Sequence, residues 1–348
     1  MRKLLLLSIF SVLCMQTSAQ GLGIPSKTGG IGFGNLPRFT GIRMNFADKG
    51  IEKVSGINIS AWKVKSEQDI TGTINGLAIG VPISFGAENL HGLGIGILGV
   101  GASKNLAGIG IGGLGVGAGG NLSGINIGGL GVGAGGRLFG INVGGLGVGA
   151  GGDVKGINVG GLGVGSGGKL SGLNVGGLGV GAGGKVTGIN IGGLGVGGGG
   201  ELSGLSIGGV GVGAGGRVNG ITIAGLGLGA GESVNGLAIA GIGVGSPSVR
   251  GIVISPAAGG EVVKGFIIAP AYFRIGDRNN DEENVSGSAM KGVSISAFNH
   301  IMGHHNGVSI GVFNYAYSQR GFQLGVLNYV KSNPNGLKIL PIFNTSFK

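Results

Sequence analysis

Residues 121–136 read NLSGINIGGLGVGAGG and residues 137–152 read RLFGINVGGLGVGAGG, and the near identity of these two blocks decides the fold. A period this short marks a repeat architecture, in which each unit buries its apolar face only against its neighbours. The marker of each block is a Gly followed by apolar-x-apolar. It recurs every 16 residues at Gly76, Gly92, Gly108, Gly124, Gly140, Gly156, Gly172, Gly188, Gly204, Gly220 and Gly236. With looser spacing it continues to Gly251, Gly265, Gly292, Gly307, Gly321 and Gly336, and it appears earlier at Gly41 and Gly56.

Counted from the marker, apolar residues fall at −2, +1, +3, +6 and +8, with Ala common at +10; around Gly140 these are Leu138, Ile141, Val143, Leu146, Val148 and Ala150. The alternation is that of a β-strand, but its parity changes between +3 and +6, so a bend or bulge is expected at +4 and +5. Divergent units hold Pro at +5 (Pro82, Pro256, Pro270, Pro341), and a residue without an N–H suits a corner. Val312 and Val326 occupy the same place and fit poorly the positive φ of a two-residue hairpin turn. Successive antiparallel strands would meet different surroundings at their two ends, so their sequences should alternate. These do not. The expected fold is all-β, a two-sheet parallel β-solenoid with 14- to 16-residue coils and six apolar side chains per coil turned inward. The alternative is an antiparallel closed β-barrel with Leu and Val toward lipid and Gly toward the lumen.

Of 348 residues, 91 are Gly and only 11% are charged. Collagen is excluded because Gly does not recur at every third position and Pro numbers only 8. Ordinary disorder is excluded by the periodicity and by 42% apolar content. The position after the first apolar residue holds Asn126, Asn142, Asn158, Asn174 and Asn190, then Ser206 and Thr222. In a parallel stack these amides form a ladder along the axis, the alternative being a solvent-facing polar row. On the second strand +7, +9 and +11 are all Gly. The positions Gly147, Gly149, Gly163, Gly165, Gly179 and Gly181 then form a bare flat face suited to a second copy of the chain or to another flat partner.

Residues 1–19 carry Arg2 and Lys3, an apolar run from Leu4 to Val12 and Thr17-Ser18-Ala19, which reads as a signal peptide. The single cysteine, Cys14, lies inside it. The expected organisation beyond it is a leader or cap (20–40), divergent coils (41–75), the Gly-rich array (76–275), an acidic inserted loop (276–291) and divergent C-terminal repeats (292–348). Without the first segment the formal charge falls from +11 to +9, an excess that favours acidic glycans or anionic lipid headgroups. Nucleic acid is not expected, because basic residues are not clustered with stacking aromatics.

Few residues suggest chemistry. Asp277, Asn279, Asp281 and Glu283 have the alternate spacing of calcium ligands but lack the glycine and distal Glu of an EF-hand, so solubility is the plainer role. His300, His304 and His305 in NHIMGHHNG are possible metal ligands, against a plainer reading as an exposed polar turn. The edge series Asn121, Arg137, Asp153, Lys169, Lys185, Glu201 and Arg217 has mixed signs, as a solvated edge does. The Gly-x-Gly strings recur in every unit, so they are no dinucleotide fingerprint. No cofactor and no catalytic set is expected.

The segments GVSISAFNH (292–300), GVSIGVFNY (307–315) and GFQLGVLNY (321–329) resemble the Gly-apolar-x-apolar-small-apolar-apolar-Asn unit of a loosely defined family of repetitive bacterial surface proteins, some of them lipoproteins. The resemblance implies a surface or outer-membrane location with no assigned activity, and a convincing acylation site is missing here. The expected function is that of an exported structural or interaction protein at the bacterial envelope, partnered by itself or by envelope components, with membrane association open. The alternatives are an outer-membrane barrel and an ice- or polysaccharide-binding repeat protein.

Overall fold

A computed structural model describes residues 21–63, 66–276 and 287–346. The proposed signal peptide and the residues Asp277, Asn279, Asp281 and Glu283 lie outside the described residues. The fold is a parallel β-solenoid with coils of about 16 residues, and not a barrel. Each coil holds a long strand and a short one, as in Leu138–Gly144 and Gly147–Ala150. Long strands pair in parallel with long strands of the adjacent coil, Asn126 opposite Asn142 and Asn142 opposite Asn158. Short strands do the same, Val116 opposite Val132 and Val132 opposite Val148. At the corner the backbone is satisfied by the coil before it, with Leu146 N–H donating to the Leu130 carbonyl at 2.7 Å.

The chain divides into two compact units, Met1–Gly161 and Leu162–Lys348. In the first, a hairpin of Leu22–Ser26 and Gly29–Phe33 opens the stack, and Gly29–Phe33 then pairs in parallel with Arg38–Ala47. In the second, Ile339–Thr345 turns back antiparallel onto the strand Phe298–Val330, with a register shift between Gly325 and Asn328. Gly336 and Pro341 therefore do not form a further coil and corner as expected. The antiparallel return covers the open edge of the last coil, and an uncovered edge would offer unpaired N–H and C=O groups to other chains.

The interior differs from the expectation of six inward apolar side chains. Leu138 and Val148 are buried, and so is Asn142, whereas Ile141, Val143 and Leu146 are exposed. Inward positions are −2, +2, +4, +8 and +10; the apolar residues at +1, +3 and +6 face out. The two strands of a coil lie too close for large side chains on both. A Cβ on Gly144, at +4, would sit 2.1 Å from the Gly147 carbonyl oxygen. One Leu column, one Val column and a narrow amide column fill the space that remains. The corner falls at +5 and +6, one residue later than expected, at Gly145 and Leu146.

The marker glycine lies within the long strand. Gly140 has φ +107°, and a Cβ there would stand 2.0 Å from the Gly124 carbonyl oxygen. The same contact recurs up each unit, which is why this residue survives where the rest of the repeat diverges.

Candidate functional site

The inward amide column is a hydrogen-bonded ladder. In the first unit Asn126 Nδ2 donates to Asn142 Oδ1 and Asn142 Nδ2 to Asn158 Oδ1, each at 2.9 Å. In the second unit Asn174 donates to Asn190 at 2.8 Å. All five side chains are buried, so this column is not an exposed rank of Asn. Toward the N-terminal end the same column carries Arg43, fully buried, which pairs with Asp48 and donates to Asn58 Oδ1 and the Leu36 carbonyl at 2.8 Å each. Asn58 in turn donates to Asp48 at 2.8 Å, so every member of this cluster is partnered.

A second ladder, beyond the one expected from the repeat, lies in the C-terminal coils. Asn299 donates to Asn314 and Asn314 to Asn328, both at 2.7 Å, all three buried. These are the terminal Asn residues of the three segments quoted for the resemblance, and their recurrence after two apolar residues was the available signal. They replace the Val column of the central coils, while Ser294 and Ser309, hydrogen-bonded at 3.1 Å, replace the central Asn column.

Histidines 300, 304 and 305 are on the strand Phe298–Val330 rather than in a turn. His304 faces out and contacts Ser318 Oγ, and His300 lies edge-on to Tyr315, with ring centroids 5.1 Å apart. His305 points inward, opposite Met290 in register, with Nε2 3.3 Å from Ser309 Oγ. Burial pushes its imidazole down to about 4, against a smaller opposing pull from Gln319. Burial, then the nearby Arg274 charge, also lowers His300. The three rings are thus dispersed, and among the described residues no three His, Cys, Asp or Glu side chains gather around one metal position.

The outer surfaces differ between the two strand layers. On the short strands the +7 and +9 glycines face out: a Cβ at Gly165 would meet nothing within 4 Å, and at Gly181 only the Gly197 carbonyl oxygen at 3.6 Å. In the first unit Gly147 and Gly149 stand in register with Gly131 and Gly133, and in the second Gly163 and Gly165 with Gly179 and Gly181. At +11, by contrast, Gly151 is a corner residue whose Cβ would lie 2.4 Å from the Gly135 carbonyl oxygen, so it does not belong to the flat face. Corner glycines are required by close backbone approach; those at +9 are not. In the first unit the flat row floors a groove of about 900 Å³ rimmed by Phe85, Lys63 and Glu67.

On the long strands the outer face is apolar. Ile125, Ile141 and Ile157 are 39%, 40% and 42% exposed, and Ile127, Val143 and Val159 form a parallel row beside them. A third row runs along the corner through Leu114, Leu130 and Leu146, each 49% exposed. In the second unit the rows continue through Ile189, Ile221, Ile252 and Phe266. Water-soluble monomers rarely leave a contiguous apolar patch beyond a few hundred Å², so these rows are the candidate contact site. The edge series beside them is solvated and partly ion-paired. Glu201 accepts from Ser203 at 2.5 Å, meets Lys185 Nζ at 3.1 Å and accepts from Asn219 at 2.6 Å. Together these partners hold its carboxyl down to about 2. Asp153 lies on the same edge of the first unit, as do Asn121, which accepts from the Arg137 N–H at 3.0 Å, and Arg137 itself. Comparison with protein-family models, with curated proteins and with solved structures gave no match.

Proposed function

We propose that this chain is an exported, non-catalytic surface or assembly protein that works at a cell envelope by repeating one flat contact surface. The observation that carries this reading is the set of exposed apolar rows on the long strands, renewed in every coil by the same three positions. Identical weak contacts repeated along one chain act at high effective concentration, so avidity grows with the number of coils engaged. The signal-like residues 1–19 and the resemblance of residues 292–329 support the location. Fractionation of the cells that make the protein tests it. The expected result is recovery with the envelope, cleavage by protease added to intact cells, and release by carbonate without detergent. Recovery in the cytosol overturns the reading.

A second reading, self-association through the bare glycine rows, is favoured by the open space over Gly165. Gly165→Gln with Gly181→Gln and Gly197→Gln covers the row without a backbone clash, since Gly197 also meets its nearest atom at 3.9 Å. Loss of an oligomer by solution mass supports that interface, and an unchanged oligomer rejects it.

A further inference from the structure

The residue just before the marker glycine, at −1, points to the same outer side as the apolar rows. In the second unit it begins uncharged, with Ser171, Thr187, Ser203, Asn219 and Asn235. It then turns basic. Arg250 stands opposite Lys264 and Lys264 opposite Lys291, in register on consecutive coils. Asn306 follows opposite Lys291, and Arg320 precedes Gly321, which stacks on Gly307. All four basic residues are exposed, and among the described residues none meets a carboxylate.

The apolar rows change character over these same coils. Beside Ile252 they carry Phe266 and Phe322, while on the short strands Tyr272 and Phe298 take the outward glycine row, in register with Gly243 through Ala257. Each of these is more than one-third exposed. The outer face of the long strands therefore presents a cationic row that meets no carboxylate among the described residues and, beside it, two apolar rows, one of which carries Phe266 and Phe322.

We infer that this face of the C-terminal coils, residues 250–276 and 287–324, docks on an anionic lipid bilayer, with the Arg250–Lys264–Lys291 row at the phosphates and the row that carries Phe266 and Phe322 at the acyl boundary. The inference rests on the contact-surface reading above and assigns the partner. The argument is complementarity on two counts at once. Basic residues near a membrane surface are drawn to its negative potential, and an apolar face that carries Phe beside aliphatic side chains buries at the boundary between headgroups and acyl chains. A second copy seated on this face would take the cationic row out of water against apolar rows or against its own kind, with no counter-charge. An acidic polysaccharide would satisfy the cations and leave the apolar rows in water. His300 and the Tyr315–Tyr329 pair belong to the other layer, together with Tyr272, whose hydroxyl lies 3.2 Å from His300 Nδ1. Tyr315 and Tyr329 are stacked with ring centroids 5.2 Å apart.

Vesicle flotation of the purified chain tests the inference, with neutral phosphatidylcholine vesicles in one arm and vesicles containing phosphatidylglycerol in the other. The expected result is binding to the anionic vesicles alone, weakened by added salt. Each basic residue near a membrane contributes about a fivefold change in partition. The triple variant Arg250→Gln, Lys264→Gln, Lys291→Gln is therefore expected to lose roughly a hundredfold. Phe266→Ser with Phe322→Ser is expected to weaken binding at unchanged charge, and Lys185→Gln, on the distant edge, is expected to change nothing. Circular dichroism checks that each variant stays folded. Equal binding to both vesicle types, native binding by the triple variant, or capture by soluble polygalacturonate without vesicle binding each overturns the lipid assignment. Such a result leaves the envelope reading standing if fractionation still finds the chain at the surface, so the two claims fail separately.

Discussion

A carboxamide carries a donor and an acceptor on one short stem, and a parallel in-register stack sets each one an axial repeat from the next. Asn142 uses both ends, accepting from Asn126 and donating to Asn158. Asn142→Ala leaves a buried donor on one neighbour and a buried acceptor on the other. We predict a loss of about 2 to 4 kcal/mol by urea denaturation. The ladder stops at Asn190, whose Nδ2 is buried without a partner opposite the shorter Ser206. Ser206→Asn supplies the missing acceptor and is predicted to gain about 1 kcal/mol in the same measurement. Glycine columns separate in the same way. Gly140→Ala, at positive φ and against a carbonyl, is predicted to lower stability by more than 2 kcal/mol, whereas Gly165→Ala, in open space, is predicted to raise it by about 0.5 kcal/mol. The period made the Asn column legible in the sequence, but not its side. Burying Ile and exposing Asn is the ordinary expectation, and the distance between the two strands of a coil, which overrides it, is not written in any single repeat. The flanking coils held the clue: the same position carries Ala78, Val253 and Ile267, all buried.

At the scale of a strand, the C-terminal coils exchange the Val column for Asn and place His305 where other coils have Leu, Val or Met. An imidazole there is tolerated only while neutral. Its folded value of about 4 lies below the ordinary 6.5 of the unfolded chain. Between these values the unfolded state binds a proton that the folded state does not. The contribution is intact above pH 6.5 and is lost as pH falls toward 4, on the order of 3 kcal/mol in all. Native chain and His305→Gln, compared by urea unfolding at pH 7 and pH 4.5, are predicted to diverge: the native chain loses more stability over that interval than the variant. Equal losses would place the ring in contact with water. The corners were legible from Pro256 and Pro270, because a residue without an N–H punctuates a ladder. The reversal at Ile339–Thr345 was not, since Gly336 and Pro341 mimic a further marker and its corner.

For the molecule as a whole, repetition explains both the stability and the surface. Through the central coils each inward column stacks on its own kind one coil away, and the same rule repeats whatever faces outward, so a modest apolar patch becomes an extended row. Edge charges such as Lys185 and Glu201 pair along the stack and keep the remaining surface solvated. The central claim is that consecutive coils run parallel with a one-coil register. It is tested most directly by spin-label distances within the first unit, placing Ile109→Cys with Ile125→Cys, with Ile141→Cys or with Ile157→Cys, all outward positions of one column. The account predicts separations that grow in equal steps of about 4.8 Å per coil. Separations that alternate between short and long, as strands of alternating direction would give, contradict it.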